Sequence, residues 1–383
     1  MKVKISKQVF ILGMVSLFTD IASEMLYPVT PIFLTVVLGS SMAVVGLIEG
    51  IAEVTSGLLK GYFGNLSDKL GKRSIFVVFG YGISALAKSL PGIFQNIPVV
   101  LTSRVSDRIG KGIRTAPRDA LLASHSNGNS GAVFGFHRAL DTLGAAIGPV
   151  LALVLLNFYP NNFQLIFLAA FVPSVIAVVF TLFVKDNDAS SNEKSKKNYL
   201  EFWKSAPNQY KQVLVLITIF SLVNSSDVFL ILKSQNITQS SSLAIFGYVF
   251  YNIIYAIFSY PLGGLADKYG KQKVFSFGLM IFSAVYFGFA FLSDINLIWI
   301  LFALYGIYAA STEGVSKAWI SDLIPSEQRG SAIGLLTMLS SFSVMLGSFL
   351  TGILWDRFGS SFPFLLSAIS SLLIAMIIHF KKY

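Results

Sequence analysis

Acidic and basic side chains recur at helical spacing inside stretches of this chain that are otherwise apolar. An ionised group deep in a bilayer is costly unless it faces a cavity or a partner, so each one is a candidate for binding or proton transfer. The densest run is Arg104-Val-Ser-Asp107-Arg108-Ile-Gly-Lys111-Gly-Ile-Arg114-Thr-Ala-Pro117-Arg118-Asp119. On a helix, Arg104, Asp107, Lys111, Arg114 and Arg118 fall within roughly 80° of one another, a basic stripe holding one acid. Such a stripe cannot face lipid; it suits an anionic group. Asp20 and Glu24 lie one turn apart, about 6 Å along a helix axis, and reach the same depth as Asp107 and Lys111. Acid and base are therefore expected to meet, either as a structural salt bridge or with one acid exchanging a proton while the stripe holds an anion.

Other charged positions are more ambiguous. Asp227 sits beside Asn224, Ser225 and Ser226 with no base one turn away, and is a second candidate for carrying a proton. Glu313 and Lys317, spaced i, i+4, most simply satisfy each other. Glu49 and Glu53, with Lys60 on nearly the same side, suit pairing with Arg138 or a nearby base as well as proton transfer. His137 reads as a solvated histidine near a helix end. Tyr27, Tyr251 and Tyr305 could line a pathway through their hydroxyls, though sequence alone does not separate them from packing aromatics.

Composition narrows the chemistry. With no cysteine there is no disulfide, thiol nucleophile or cysteine metal site, and His125, His137 and His379 are too scattered for a metal motif. No phosphate-binding G-x-x-x-x-G-K-[ST] loop is present, and no nucleophile–base pair stands out, so neither enzyme activity, a cofactor nor a bound metal is expected. A membrane lipid translocase or enzyme acting on head groups is the weakest alternative. The formal charge of +10 lacks the compact basic domain that nucleic-acid binding requires.

These charges need helices to position them, and the chain supplies those in a membrane. It has 383 residues, 54% of them hydrophobic and 13% charged, with a mean hydropathy of +0.69. That is more apolar surface than a single soluble core buries. Runs of about 20 apolar residues follow one another with short polar breaks. They predict an all-α membrane protein of about twelve spans: 9–38, 42–63, 74–94, 97–123, 132–157 and 162–184, then 211–235, 242–262, 273–293, 295–320, 330–355 and 360–380. The expected organisation is a six-helix half over 1–184, a polar linker over 185–210 with a short surface helix at Tyr199 to Lys204, and a second six-helix half over 211–383. The N-terminus reads as lacking a cleavable signal.

An internal repeat supports six plus six. Gly64-Asn-Leu-Ser-Asp68-Lys69-Leu-Gly71-Lys72-Arg73 after the second span matches Gly263-Gly-Leu-Ala-Asp267-Lys268-Tyr-Gly270-Lys271-Gln272 after the eighth, Asp267 lying 199 residues beyond Asp68. The pattern G-x-x-x-D-[RK]-x-G-[RK]-[RK] resembles the signature loop of the major facilitator superfamily. The first copy satisfies every position and the second departs at Gln272. The resemblance covers essentially the whole chain. It implies a secondary transporter with its solute held between two halves, a loop that helps gate, and Asp68 set against the N-terminus of the eleventh helix near Arg329-Gly330. Arg104 sits where the family often has a membrane-embedded arginine. Gly144-Ala-Ala-Ile-Gly148-Pro149 resembles the fifth-helix motif of drug/proton antiporters, although Val150 to Leu153 lacks the two glycines that usually follow; close packing of two helices accounts for it equally. The resemblance thus implies proton-coupled transport of a small organic, anionic or amphipathic solute, with efflux slightly favoured and import of an organic anion as the alternative. It further suggests a monomer, with lipid, solute and protons as its partners.

Lysine and arginine concentrate on one side of the predicted spans, at both ends of the chain, in the linker and in the repeated loops, with only Arg357 on the other. Basic segments are retained on the cytoplasmic side. This predicts a multi-pass protein of the cell (inner) membrane whose N-terminus, linker and C-terminus report cytoplasm when a topology reporter is fused at either end or at Asn192. A signal from the opposite side at Asn192 would overturn the six-plus-six order.

Overall fold

Backbone polar groups find no water in hydrocarbon, so apolar runs of this length must satisfy them internally, as helices. The computed structural model describes residues 6–125, 130–186, 199–291, 294–325 and 329–381, and every regular element there is helical. The chain forms two compact units, one of Met1–Ser40 with Ile51–Glu193 and one of Ser41–Gly50 with Lys194–Tyr383. In chain order the helices are α1 Lys7–Leu26, α2 Val29–Ile32, α3 Met42–Leu70, α4 Arg73–Ile93, α5 Ile97–Ser124, α6 Ser130–Phe158, α7 Phe163–Ala169 and α8 Phe171–Thr181. Then come α9 Tyr199–Ser205, α10 Asn208–Val223, α11 Val228–Thr238, α12 Ser241–Tyr269, α13 Lys271–Phe291, α14 Ile295–Asp322, α15 Arg329–Phe358 and α16 Ser361–Phe380. Among the described residues, eleven helical spans are long and apolar enough to cross a membrane. α5, at 28 residues or about 42 Å, is long enough too; its charges alone keep it out of that set.

Three expected spans are broken. The first stops at Leu26 and resumes as α2 and a π-helical turn, Phe33–Val37, because Pro28 and Pro31 lack the N–H groups that would bond four residues back. Pro173 likewise cannot bond Ala169, and the sixth span divides there into α7 and α8. The seventh opens over Asn224 to Asp227, where the freed Ser226 N–H donates to Ser348 Oγ at 3.0 Å; short polar side chains compete with helical bonding at such sites.

The second and eighth spans run past their expected ends, so most of each repeated loop is the last two turns of α3 or α12. The chain reverses only at Gly71 (φ +63°) and Gly270 (φ +99°), both in the region that favours glycine. Just after the first reversal, Asp186 accepts from the N–H groups of Arg73 and Ser74, each at 2.8 Å, and from Ser74 Oγ at 2.6 Å, capping α4. In the second copy Gln272 donates through Nε2 to the carbonyls of Ile378 and Lys381. The position that departs from the pattern thus ties its loop to the end of α16. Lys271 bridges Asp267 at 3.1 Å and Asp322, at the end of α14, at 2.6 Å. The side chains of Asp68, Lys69 and Arg329, and residue Asn192, lie outside the described residues.

Packing repeats between the units. In the first, α1 packs on α6 and α8, and α4 on α5, α7 and α8; in the second, α10 packs on α15, and α13 on α14 and α16. The first core joins Leu12, Val15, Val77, Tyr81, Leu121 and Leu122. The second interlocks aromatic rings, among them Phe220, Phe282, Tyr286, Tyr308 and Phe364. Within the second unit, Asp356 accepts from the N–H groups of Met42 and Ala43, both at 2.9 Å, and so caps the start of α3. The linker helix α9 is less superficial than expected: Phe202 is buried against Tyr210.

Asp186→Ala removes the acceptor for two N–H groups and a hydroxyl. A loss of about 1 kcal/mol is expected, read as a lower thermal midpoint in detergent with the helical content unchanged.

Candidate functional site

The stripe on α5 is aimed by backbone contact. A Cβ on Gly110 would collide with the Gly80 carbonyl and Ser84 Oγ of α4, so the two helices touch there as only small residues permit. Ser84 Oγ donates to the Asp107 carbonyl at 3.1 Å and Ser103 Oγ to the Ala87 carbonyl at 2.7 Å, locking the register. A second close contact sets α1 on α6. A Cβ on Gly144 would meet the Leu17 carbonyl and Asp20 Cβ, and one on Gly148 the Ile21 carbonyl. Gly144 to Pro149 therefore serves helix packing.

Between these helix pairs, within the first unit, lies a polar cavity of about 220 Å³. Asp20, Glu24, Arg104, Asp107, Arg108, Lys111, Arg114 and Arg118 all line it, so the structure gathers these eight at one place; Glu49 and Glu53 are not among its lining. Two groups that the sequence reading did not single out, Lys88 of α4 and Asp141 of α6, line it as well.

The pairings differ from those expected. Asp107 bridges Lys88 at 3.3 Å, with side chains only 11% and 5% exposed, because α4 rather than α1 packs along α5. Asp20 shares the cavity wall with Asp141, because α1 is held against α6 at Gly144. Asp141 also accepts from Ser16 Oγ at 2.6 Å on Oδ1 and from Arg138 Nη1 at 2.9 Å on Oδ2. That bond gives Arg138 a carboxylate partner on its own helix.

The stripe is not uniform in availability. Arg114 donates to Ser84 Oγ and to the Gly80 carbonyl, and lies 4.3 Å from the centre of the Tyr81 ring. Arg118 binds Asp119 through Nη2 at 2.9 Å and Nε at 3.1 Å. Arg104 stands 5.8 Å over Tyr27. Lys111 is different: its side chain is exposed to the cavity, attracted by Glu53 and Asp20 and repelled by Arg108.

In the second unit Asp227 is gripped by two tyrosines. Tyr251 donates to Oδ2 and Tyr305 to Oδ1, each at 2.5 Å. Two of the three tyrosines noted for a polar tip thus serve one carboxylate. Glu313 accepts from Tyr255 of α12 at 2.9 Å. His137 is buried, 6% exposed, and not solvated as expected, because α6 begins two turns before it. Among the described residues no group of His, Asp and Glu is arranged to hold a metal. Lys88 and Asp141 carried the same signal as the others, a charge in an apolar span; what the sequence lacked was which helix lies beside which.

Helical spans in two units with the same packing pattern, one of them enclosing a charged cavity, define a polytopic membrane protein. The family model for the Major Facilitator Superfamily matches residues 12–247 and 214–382, and the chain belongs to that superfamily, whose transporters move small molecules across membranes. It is 36% identical over 385 residues to an uncharacterised MFS-type transporter of Methanocaldococcus jannaschii, covering 98% of this chain and 95% of that one. A tetracycline resistance protein, class H, of Pasteurella multocida is 27% identical over 177 residues, 44% of each chain. The crystal structure of the nucleoside transporter NupG superposes with a TM-score of 0.82 at 14% identity, covering 98% of this chain and all of that one. At that identity the likeness is one of fold.

Removing one partner of a buried ion pair strands the other. Lys88→Met is expected to destabilise the protein by about 3–5 kcal/mol, and Lys88→Met with Asp107→Asn to recover part of that loss. Thermal unfolding of the two variants in detergent measures the difference.

Proposed function

We propose that this protein is a secondary active transporter that carries a small organic anion, including amphipathic ones, across the cell (inner) membrane by alternating access coupled to protons. The observation that carries the reading is Lys111. Seven basic and four acidic side chains line the cavity; Arg104, Arg114 and Arg118 are engaged with the protein, whereas Lys111 is an exposed side chain on its wall. An anionic group bound there satisfies a cation that burial would otherwise penalise. Glu24, Asp20 and Asp227 are the acids assigned to proton coupling. Gly64, Asp68, Lys69, Gly71, Lys72 and Arg73, with Asp267 in the second copy, form the gating loops. The protein acts as a monomer in contact with lipid, as two six-helix halves joined by a cytoplasmic linker, with both termini cytoplasmic.

Efflux is the slightly favoured direction, in keeping with a distant relative named for tetracycline resistance. Uptake of an organic anion is the second reading, favoured by the cation surplus and by the packing role of Gly144 and Gly148, which leaves the antiporter motif without a separate function.

The test is flux into proteoliposomes under an imposed pH gradient, with a panel of carboxylates, sulfonates and phosphate monoesters. At least one anion is expected to move against its gradient, the sign of the pH gradient giving the direction. Lys111→Ala is expected to weaken its binding about tenfold or more, the worth of a charged hydrogen bond. Movement of neutral solutes only, or full affinity in Lys111→Ala, would sink the anion reading.

A further inference from the structure

A cation lies buried in the second unit with no anion to meet it. Lys233, five residues before the end of α11, is only 9% exposed, and its ammonium donates to Ser360 Oγ at 2.8 Å. An ammonium has three N–H donors and no acceptor, so one neutral hydroxyl leaves two of them unused. No carboxylate among the described residues pairs with Lys233. Asp356, four residues before Ser360, gives both of its oxygens to the N–H groups of Met42 and Ala43, and Asp294, beyond the end of α13, caps α14.

Ser360 is the residue before α16, and its side chain caps none of that helix's N–H groups. The first N–H groups of a helix have no partner within it and carry partial positive charge, so they draw anions and disfavour cations. Lys233 and the start of α16 therefore repel each other across Ser360. One anion between them answers both.

The surroundings are apolar and exposed. Phe358 and Phe362, on either side of Ser360, both stand on the surface with ring centres 5.0 Å apart. Ser361 Oγ donates to the Ala290 carbonyl at 2.6 Å, which brings the exposed Phe291 of α13 to the same place. Exposed rings around a cation suit an amphiphile, whose charged head reaches the ammonium while its chains cover the rings. Arg357, also exposed, adds a second positive charge next to Phe358. Gln272 grips the other end of α16, 20 residues or about 30 Å away, so this place belongs to the membrane face opposite the repeated loop.

We propose that Lys233, Ser360 and the first turn of α16 bind the phosphate of an anionic membrane lipid, at a site that shares no residue with the cavity of the first unit. The two unused N–H donors of Lys233 and the backbone N–H groups of Ser361 and Phe362 supply its hydrogen bonds, which the charges on both sides strengthen.

The full-length protein, stripped of lipid in detergent, is titrated with phosphatidylglycerol, with zwitterionic phosphatidylcholine and with inorganic phosphate. Native mass spectrometry counts bound lipid, and the thermal midpoint is followed alongside. The wild type is expected to hold phosphatidylglycerol about tenfold more tightly than phosphatidylcholine, the worth of a charged hydrogen bond, and to unfold at a higher temperature in its presence. Lys233→Met is expected to abolish that preference. Ser360→Asp sets a carboxylate where Lys233 already donates and where a helix start favours an acid. It is expected to unfold at a higher temperature than the wild type without lipid and to gain nothing from phosphatidylglycerol, and it decides the matter if Lys233→Met does not fold. Lys111→Ala, in the other unit, is expected to bind phosphatidylglycerol as the wild type does. Equal binding of the two lipids, or an unchanged preference in Lys233→Met or Ser360→Asp, overturns the proposal. A thermal shift with inorganic phosphate that phosphatidylglycerol does not produce gives the site to a soluble anion and overturns the lipid as its occupant.

Discussion

An ionised side chain brought into hydrocarbon loses its hydration, and only an opposite charge, a hydrogen bond or a water-filled space offsets that loss. α5 carries seven ionisable residues in 28, so the first unit is organised around enclosing them. The Gly80–Gly110 contact turns the stripe away from lipid, Lys88 crosses from α4 to neutralise Asp107, and Ser84, Gly80 and Tyr81 take up the guanidinium of Arg114. The cavity is the space left once those partners are in place, and Lys111 is an exposed cation on its wall.

The two units solve the same packing problem with different chemistry. Each sets its first span on its fifth and its third on its fourth, and each reverses its signature loop at a glycine with positive φ. Around the middle of its helices, however, the first unit places ion pairs and arginines, whereas the second places rings. Asp227 there is held by two tyrosine hydroxyls, which stabilise a carboxylate through hydrogen bonds without supplying a positive charge. Its two donors are neutral hydroxyls, whereas the acids of the first unit share their cavity with basic side chains.

Much of this was readable from residue order because it depends on local rules. Span length follows from runs of apolar residues, the family from the loop at Gly64 to Arg73, and the shared face of Arg104, Lys111 and Arg118 from the helical period. The rest depends on neighbours. Depth sets Asp20 level with the basic stripe, and the two do share a cavity, but depth says nothing about which helix lies alongside, and Gly144 puts α6 there with Asp141 on it. Lys88, one lysine in an apolar span, reveals no partner until α4 is laid on α5. The breaks at Leu26 and Ala169 were present in the sequence as Pro28, Pro31 and Pro173, whereas the break at Asn224 has no proline and becomes clear only when Ser348 is seen to take the freed N–H.

The charge density of α5 also bears on how the chain enters the membrane during synthesis. Each Arg, Lys or Asp near the middle of a helix raises its insertion cost by about 3 kcal/mol, and α5 has too few apolar residues to offset several of them. Left to itself at the translocon, this helix would be rejected into water. It has to be retained there until α4, already made and carrying Lys88, Ser84 and Tyr81, can lie against it. Biogenesis of the first unit is thereby tied to a helical hairpin that inserts as a pair, and a defect in the α4–α5 contact would be seen first as failed insertion.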